Sequence, residues 1–263
     1  MDSLLILKGG YMLLGLDVGG TFTDAVIIDA HRVVATAKRR TTKDNLMNGI
    51  GEALDAVLEG YDTSNIEQVT LSTTVVTNTI VEAKEQVVDL YVITGPGRNV
   101  DDIFPVEPIY LQGYTDHRGI VVERTPADAV RGIANMVQAR SGTDLAAVSA
   151  KFGVRNPQEE LSITEELKNT YHTISNGSLL SGSLNFPRRT ISAYFNSAVT
   201  PVFTVFKKNV EDALSARNIL APLHILKADG GSLPMEHMVS RPVETAFTGP
   251  AATVLGLSAL GVI

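Results

Sequence analysis

Hydrophobic and polar positions near the start of the chain predict a β-hairpin. Two apolar runs meet at a glycine pair in residues 13–29 (LLGLDVGGTFTDAVIID). Apolar runs of this length on either side of glycines indicate two strands and a tight turn. A third strand is expected at residues 33–38, and residues 46–58 then carry apolar side chains at helical spacing up to Gly60. The chain therefore opens with a three-stranded meander and a helix.

Further strands and helices alternate after this opening. Strands are predicted at residues 69–72, 87–93 and 145–150, and a helix over residues 73–84. This order indicates a mixed sheet covered by helices. A second helix is expected from a capping box at residues 125–128 (TPAD), with its end at residue 142.

The segment 98–124 is loop-like, and we expect its two apolar pieces, 109–111 and 120–122, to pair with each other. The dipeptide Asn156-Pro157 opens another helix.

The character of the chain changes near Ser175, where residues 176–186 are rich in Gly, Ser and Asn. A long helical pattern follows, and Pro201 is expected to kink or split it. A strand at 223–227, an Asp-Gly-Gly turn and a last helix at 250–260 complete the chain. The predicted organisation is a start extension at 1–11, an N-terminal subdomain at 12–180 and an incomplete second region at 181–263.

The composition limits the classes of function. The 263 residues are 44% hydrophobic and carry a formal net charge of −7, and the basic clusters lack stacking aromatics, so nucleic acid is not an expected partner. The chain has no cysteine, which excludes disulfides, thiolate metal sites and cysteine nucleophiles. We expect a cytoplasmic protein with no membrane partner. The apolar end of the chain, residues 260–263 (LGVI), indicates a fragment of a longer protein.

The predicted hairpin carries groups suited to a phosphate. Asp17 ends the first strand, and Gly19 and Gly20 permit positive φ and lack a Cβ, so that backbone N–H groups can approach a ligand. Thr21 and Thr23 add hydroxyls just past the turn. A carboxylate, bare amides and hydroxyls together suit a nucleotide phosphate with its Mg²⁺. The alternative is an ordinary hairpin in which Asp17 caps the turn.

Other polar residues have two possible roles. Thr73, Thr74 and Asn78 lie where a strand gives way to a helix, so they either face a cleft or cap the helix. Arg189 either pairs with a phosphate or substrate carboxylate or forms a structural ion pair. The sequence contains neither a P-loop nor a Gly-x-Ser-x-Gly elbow, which argues against P-loop ATPases and α/β-hydrolases.

Four separated segments resemble the hydantoinase A/5-oxoprolinase family, in matching order and spacing. They are residues 15–24 (GLDVGGTFTD), 72–78 (STTVVTN), 155–160 (RNPQEE) and 241–252 (RPVETAFTGPAA). The family usually has a glycine where this chain has Ser72, and residues 185–190 and 228–231 also depart from its usual pattern. The fold is expected to survive the departures at 185–190 and 228–231, which bear on the substrate instead.

The resemblance implies an α/β fold of the ribonuclease H-like, actin-like ATPase type. It implies ATP and Mg²⁺ as cofactors, with Asp17 orienting the metal and phosphate indirectly. The family opens cyclic amides or ureides, of the hydantoin or 5-oxoproline type, at the expense of ATP. A second hydantoinase subunit and an oligomeric assembly are the expected protein partners.

The resemblance also implies that a second phosphate loop lies beyond this chain, so the chain alone is expected to be inactive. The Asp229-Gly230-Gly231 turn is the other phosphate-loop candidate, although a structural turn is its better interpretation. Three alternatives to the ring-opening hydrolase remain open: an acetone-carboxylase-like subunit, a small-molecule kinase, and an ATPase that activates a partner enzyme.

Overall fold

The computed structural model describes residues 11–42, 46–97, 103–259 and 261, over which the chain forms twelve strands and eight α-helices. The strands are β1 (Met12–Val18), β2 (Phe22–Asp29), β3 (Arg32–Arg40), β4 (Ile66–Thr73), β5 (Asp89–Ile93), β6 (Ile109–Tyr110), β7 (Tyr114–Thr115), β8 (Val121–Glu123), β9 (Leu145–Ala150), β10 (Thr173–Asn176), β11 (Leu223–Leu226) and β12 (Ser232–Pro234). The helices are α1 (Leu46–Val57), α2 (Val75–Val81), α3 (Ala127–Ser141), α4 (Gln158–Leu167), α5 (Gly177–Leu180), α6 (Phe186–Ser215), α7 (Met235–Met238) and α8 (Thr248–Ala259).

The described residues divide into two compact units. The first draws on the ranges 1–82 and 202–263, and the second on the range 83–201. The predicted division at residue 180 stays a prediction, and the start extension at 1–11 lies almost entirely outside the described residues.

The first unit contains a six-stranded mixed sheet in the order β12-β11-β4-β1-β2-β3. The strands β1, β2 and β3 pair antiparallel as a meander, whereas β4 runs parallel to β1, and β11 runs parallel to β4. Leu14, Leu16 and Val18 of β1 are buried, while Leu13 and Asp17 on the other face are exposed. The period-two pattern therefore sets which face of this sheet is covered.

Helix α1 lies against β2 and β3 of this sheet. Its buried side chains, Ile50, Ala53, Leu54 and Val57, recur every three to four residues and so form one apolar stripe. The predicted meander and the helix that follows it are both confirmed, as is the α/β fold class with a mixed sheet.

The second unit contains a separate parallel sheet in the order β10-β9-β5-β6. All residues of β5 and β9 are buried, which agrees with their near-continuous apolar runs. The order of elements along the chain predicted one sheet, in which β5 would lie beside β4. In the structure β11 lies beside β4, and β5 belongs to the second sheet. That exchange depends on pairing between residues more than 140 positions apart in sequence, which local patterns do not encode.

The predicted pairing of 109–111 with 120–122 is wrong. Ile109 and Tyr110 pair in parallel with β5, and β8 pairs instead with β7. The carboxylate of Asp116 accepts the backbone N–H groups of Arg118 and Ile120, each at 2.9 Å, which closes a tight β7–β8 turn. This local turn outcompetes the more distant pairing.

The predicted capping box is also wrong. Helix α3 has Pro126 as its N-cap, without a side-chain hydrogen bond. The Thr125 hydroxyl donates to the carbonyl of Gln112 at 2.5 Å, and the Thr125 N–H donates to Glu159 at 3.1 Å. The Thr125 hydroxyl and N–H therefore bind residues outside α3 and do not cap this helix. The predicted end of the helix is confirmed, since Gly142 adopts a left-handed conformation with φ of 66°.

Pro201 does not split the long helix, because α6 continues through it as one element of 30 residues. Side chains on both sides of the proline, Ala198, Val199 and Phe203, are fully buried. We attribute the continuity to this packing, which offsets the hydrogen bond that a proline removes. Among the described residues, none of the helices has both the length and the apolar character that a bilayer crossing requires.

Candidate phosphate-binding site

The β1–β2 hairpin turn is closed by one backbone hydrogen bond. The Gly19 N–H donates to the carbonyl of Phe22 at 3.0 Å. Neither Gly19 nor Gly20 has the positive φ that the sequence analysis allowed for. Glycine is needed at Gly19 for space, since a Cβ there would lie 2.9 Å from the Phe22 carbonyl oxygen.

Gly20 and Asn78 lie in close contact. A Cβ on Gly20 would lie 2.7 Å from Asn78 Nδ2, so a side chain at position 20 would displace the amide. The Asn78 amide also donates to Thr74 Oγ1 at 3.1 Å. The structure thus brings the hairpin turn together with the start of α2, two parts of the chain that the sequence analysis had singled out separately.

Two amide donors of the turn are available to a ligand. The Gly19 N–H already donates to the Phe22 carbonyl, so it is not free to hold a phosphate oxygen as predicted. Within the described residues, the N–H groups of Gly20 and Thr21 have no hydrogen-bond acceptor. Thr21 is exposed and Gly20 is half-buried, so both residues lie at the surface of this unit.

The Asp17 carboxylate is exposed at the end of β1. It does not cap the turn; its oxygen Oδ1 accepts a hydrogen bond from the hydroxyl of Ser72 on β4. Asp17 and Ser72 are directly paired across the two parallel strands. Ser72 was not predicted as a site residue. The signal that could have found it is its departure from the glycine that is usual in the family.

Thr23 lies beneath the turn rather than on its surface. Its side chain is fully buried, and its Oγ1 is 3.0 Å from Thr41 Oγ1. The Thr41 hydroxyl donates to the Gly19 carbonyl at 2.8 Å, and the Thr41 N–H donates to the Thr21 carbonyl at 2.9 Å. Thr23 therefore supports the hairpin, and Thr41, which the sequence analysis missed, holds the turn from the end of β3.

The junction of β4 and α2 has both capping and ligand-accessible groups. Thr73 is fully buried, and its Oγ1 accepts the Val75 N–H at 3.1 Å, which is a capping contact. Thr74 and Asn78 are only partly buried. Of the three predicted residues, Thr73 thus makes the capping contact. Thr74 and Asn78 lie beside the hairpin turn.

Arg189 belongs to the second unit and is fully buried. Its guanidinium donates to the carbonyls of Ala150 and Ser183 at 2.9 and 2.6 Å. Burial lowers the pKa of Arg189 from its usual value, and the nearby Glu160 carboxylate opposes that shift. These contacts favour the structural alternative for Arg189 over a direct contact with phosphate.

A cavity of about 630 Å³ lies on the face of the first sheet that carries Asp17. Gly15, Asp17 and Ser72 line it, together with Ala252 of α8. Asp24 and Lys38 also line this cavity, and they form an exposed ion pair at 2.9 Å. The Asp17 carboxylate therefore borders an open space on the sheet face and is not covered by neighbouring side chains.

The Asp229-Gly230-Gly231 segment is a structural turn between β11 and β12. The Gly230 N–H donates to the Lys227 carbonyl at 3.0 Å, and the Gly231 N–H donates to Asp229 at 2.9 Å. The hydrogen bond from Lys227 lowers the pKa of Asp229. Because both glycine N–H groups are occupied, this turn lacks the open donors found at Gly20 and Thr21.

Family models match most of the chain. The hydantoinase/oxoprolinase N-terminal region matches residues 13–171, and the hydantoinase/oxoprolinase domain matches residues 189–263. The chain belongs to the hydantoinase/oxoprolinase family. This finding confirms the resemblance carried by the four segments.

Two solved structures share the fold. The nucleotide-free structure of acetone carboxylase, described as ATP-dependent, has a TM-score of 0.78 at 17% identity and covers 97% of this chain. The ATP-dependent caprolactamase from Pseudomonas jessenii has a TM-score of 0.72 at 20% identity and covers 91%. At these identities the likeness establishes the fold.

A relative by sequence is an uncharacterized protein of Methanocaldococcus jannaschii, 22% identical over 277 residues that include 95% of this chain. The present chain spans 40% of that relative, 41% of the acetone carboxylase chain and 39% of the caprolactamase chain. The activity of the whole protein is accordingly a matter for proposal.

Proposed function

We propose that this chain is the ATP-using part of an enzyme that opens a cyclic amide or ureide of the hydantoin or 5-oxoproline type. Family membership supports this class of reaction. The observation that carries the proposal is the exposed Asp17 carboxylate at a hairpin turn where Gly20 and Thr21 offer unoccupied N–H donors. Amide N–H groups donate to phosphate oxygens, and a carboxylate binds the cation that accompanies the phosphate.

The chemistry explains why ATP is needed. A five-membered lactam is an unreactive amide, and ATP supplies a γ-phosphoryl group that converts the ring carbonyl oxygen into a leaving group. Such a transfer depends on in-line positioning and on neutralisation of charge. In the proposal, Gly20 and Thr21 donate N–H groups to phosphate oxygens, and Asp17 orients the phosphate or the attacking group. Ser72 holds the Asp17 carboxylate in place.

Magnesium fits this site as a cation carried by the nucleotide. Within the residues that the structure describes, no three His, Asp or Glu side chains cluster in a way that would hold a metal. A single exposed carboxylate suits a Mg²⁺ ion that keeps several waters and takes its other ligands from phosphate. We therefore propose that Asp17 contacts Mg²⁺ indirectly.

A subunit of an ATP-dependent carboxylase is the second candidate, because acetone carboxylase has the same fold over 97% of this chain. Dependence of phosphate release on bicarbonate would favour it. A phosphorylated product that persists after turnover would favour a kinase, and nucleotide-dependent binding of another protein without turnover would favour an activator. A second subunit, an oligomeric assembly and a cytoplasmic location stay predictions.

The test is a coupled assay on the longest natural polypeptide that contains this sequence. Hydantoin and 5-oxoproline are offered with Mg²⁺-ATP, and ring opening and phosphate release are measured together. Asp17→Asn should abolish both while leaving the unfolding transition unchanged. Asp212→Asn is the control, because Asp212 is an exposed aspartate of the same unit that pairs with Lys208 and does not line the cavity. Ring opening that survives in Asp17→Asn would refute the proposal.

A further inference from the structure

The cavity beside Asp17 is formed by the first unit alone. Its lining comes from β1, β2, β3, β4 and β11 and from helix α8, all of which lie in the first unit. Its volume of about 630 Å³ lies in the range of about 300–1,000 Å³ that is usual for small-molecule pockets. A ligand bound here would contact the first unit and need no group from the second.

A row of four side chains crosses the sheet at the end of the cavity nearest the hairpin turn. Asp17 pairs with Asp24 on β2 and with Ser72 on β4. Asp24 pairs in turn with Lys38 on β3. Residues paired directly across neighbouring strands share one face of the sheet. These side chains therefore form a polar row at this end of the cavity: Lys38, Asp24, Asp17 and Ser72.

The polar row has a net negative charge. The Lys38 ammonium donates to both carboxylate oxygens of Asp24 at 2.9 Å, so these two charges compensate each other. In the described part of the chain, Asp17 has the Ser72 hydroxyl as a partner but no cation within ion-pair distance. The described residues that line the cavity include no further charged side chain. Asp17 therefore repels an anionic ligand, and a neutral ligand is favoured.

The part of the cavity next to the polar row is apolar. Val26 pairs with Gly15 across β1 and β2, two residues from the polar row on each strand, and so lies on the same face of the sheet. A Cβ on Gly15 would lie 2.8 Å from Val26 Cγ1, so the bare glycine leaves space for the Val26 side chain over β1. Leu226 of β11 and Ala252 of α8 add to this apolar lining. The cavity thus suits a small apolar group whose polar edge is turned toward the polar row.

One oxygen of Asp17 is open to a donor from the ligand. Oδ1 accepts the Ser72 hydroxyl, whereas Oδ2 accepts no hydrogen bond from the described residues. A cyclic amide carries its N–H and C=O groups on the same edge, because the amide bond within a small ring is cis. An N–H donated to Oδ2 therefore places the neighbouring carbonyl oxygen at the end of the cavity beside the hairpin turn, where the proposed phosphoryl transfer needs it.

We propose that this cavity binds a neutral cyclic amide or ureide with an apolar substituent and selects against rings that carry a carboxylate. The N–H edge of the ring contacts Asp17, and the substituent lies over Val26 toward Ala252. The choice of a cyclic amide rests on the proposed function, whereas the preference for a neutral and partly apolar ligand follows from the lining. Among the substrates considered above, a hydantoin with an apolar substituent therefore fits this cavity better than 5-oxoproline does.

The test is titration calorimetry on the 263-residue chain at pH 7 without nucleotide. The probes are 5-oxoproline, 5-oxoprolinamide (nearly the same shape without the charge), hydantoin and 5-isopropylhydantoin. The uncharged amide should bind about fivefold more tightly than 5-oxoproline, because it avoids repulsion by Asp17. The isopropyl group should tighten the binding of hydantoin about tenfold, because it buries apolar surface in the cavity.

Two pairs of variants test the lining. Asp24→Asn leaves the Lys38 ammonium uncompensated and should reduce the preference for the amide over 5-oxoproline to about twofold or less. Asp212→Asn, at an exposed aspartate outside the cavity, should leave that preference unchanged. Ala252→Leu fills part of the cavity and should weaken 5-isopropylhydantoin binding about tenfold. Ala259→Leu makes the same change at an exposed position of α8 outside the cavity and should have no effect.

Several outcomes would overturn the assignment: equal binding of 5-oxoproline and its amide, an unchanged preference in Asp24→Asn, full binding by Ala252→Leu, or binding of none of the probes. The last result would indicate that other polypeptide, and not a ring, covers this face of the sheet. These titrations use no ATP, so a failure of the nucleotide role of Asp17 leaves them unaffected. Conversely, ATP-dependent ring opening with equal KM for 5-oxoproline and its amide would remove this selectivity and leave the proposed function standing.

Discussion

The Ser72 hydroxyl donates a hydrogen bond to the Asp17 carboxylate across two parallel strands that are paired in register at these residues. One oxygen of Asp17 is thereby fixed while the side chain stays exposed. A carboxylate held in this way loses less conformational freedom when it engages a cation or a water molecule. The Ser72 hydroxyl therefore holds the Asp17 carboxylate in this chain. The glycine that is usual in the family at this position has no side chain and could not do so.

Ser72→Ala is expected to weaken Mg²⁺-ATP binding about tenfold, which corresponds to the loss of one hydrogen bond to a charged group, about 1.5 kcal/mol. Isothermal titration with a non-hydrolysable ATP analogue measures this effect. Thr70→Ala is a suitable control, because Thr70 lines the same cavity two residues earlier on β4. An unchanged affinity in Ser72→Ala would show that Asp17 does not need this partner.

Gly20→Ala is expected to damage both the turn and nucleotide binding. The added Cβ would lie 2.7 Å from Asn78 Nδ2, and overpacking of this kind costs about 1–3 kcal/mol. Chemical unfolding gives the stability, and titration gives the affinity. Adding Asn78→Ala should recover the stability but not the affinity if the Asn78 amide contacts the ligand.

Gly132→Ala is a control for the unfolding measurement, because it adds a Cβ where there is space for one. This glycine lies inside α3 with open space around the Cβ position. Alanine there should raise the free energy of unfolding by about 0.5–1 kcal/mol, because glycine is a poor helix former. Gly20→Ala and Gly132→Ala should thus shift stability in opposite directions, and equal shifts would contradict the close contact at Gly20.

Arg189→Met is expected to destabilise the second unit by about 3–5 kcal/mol, since it removes one charge from a buried network and leaves Glu160 without its compensating cation. Urea unfolding followed by circular dichroism measures the loss. Arg188→Met is the matched control on the neighbouring residue. A variant of Arg189 that keeps its stability but loses ligand binding would restore the binding role considered from the sequence.

The buried tyrosine pair predicts a loss of stability at high pH. Tyr91 Oη is 2.7 Å from Tyr171 Oη, and Tyr171 donates to Asp89 at 2.7 Å. Burial raises the pKa of Tyr91 to about 12, so the folded state keeps a proton that the unfolded state releases near pH 10. Protons favour the folded form here, so its stability falls as the pH rises from about 10 to about 12.

The free energy of unfolding, measured in urea at pH 8 and pH 11, tests this prediction. Tyr91→Phe should cost about 1 kcal/mol at pH 8, where a hydrogen bond is lost, and should show a smaller decrease between the two pH values. Tyr61→Phe is the control, because the Tyr61 hydroxyl donates to the Val34 carbonyl on an exposed surface. An equal decrease in Tyr91→Phe would assign the alkaline transition to other groups.

Local patterns along the chain were sufficient for the elements that depend on neighbours in sequence. The alternation in β1, the apolar stripe of α1 and the left-handed Gly142 are all set within a few residues, and the four motifs identified the family. The location of Asp17 near a glycine turn also follows from sequence, because an apolar run that stops at two glycines predicts the end of a strand and a turn.

Tertiary structure decided what depends on partners distant in sequence. Only folding places Ser72 against Asp17, sets Asn78 over Gly20 and buries Arg189. The same holds for the second sheet, since β11 displaces β5 from its place beside β4. The energy of these arrangements comes from hydrogen bonds and packing between segments that lie tens of residues apart, such as the 39 residues between Arg189 and Ala150 and the 55 between Asp17 and Ser72, and no local propensity records such contacts.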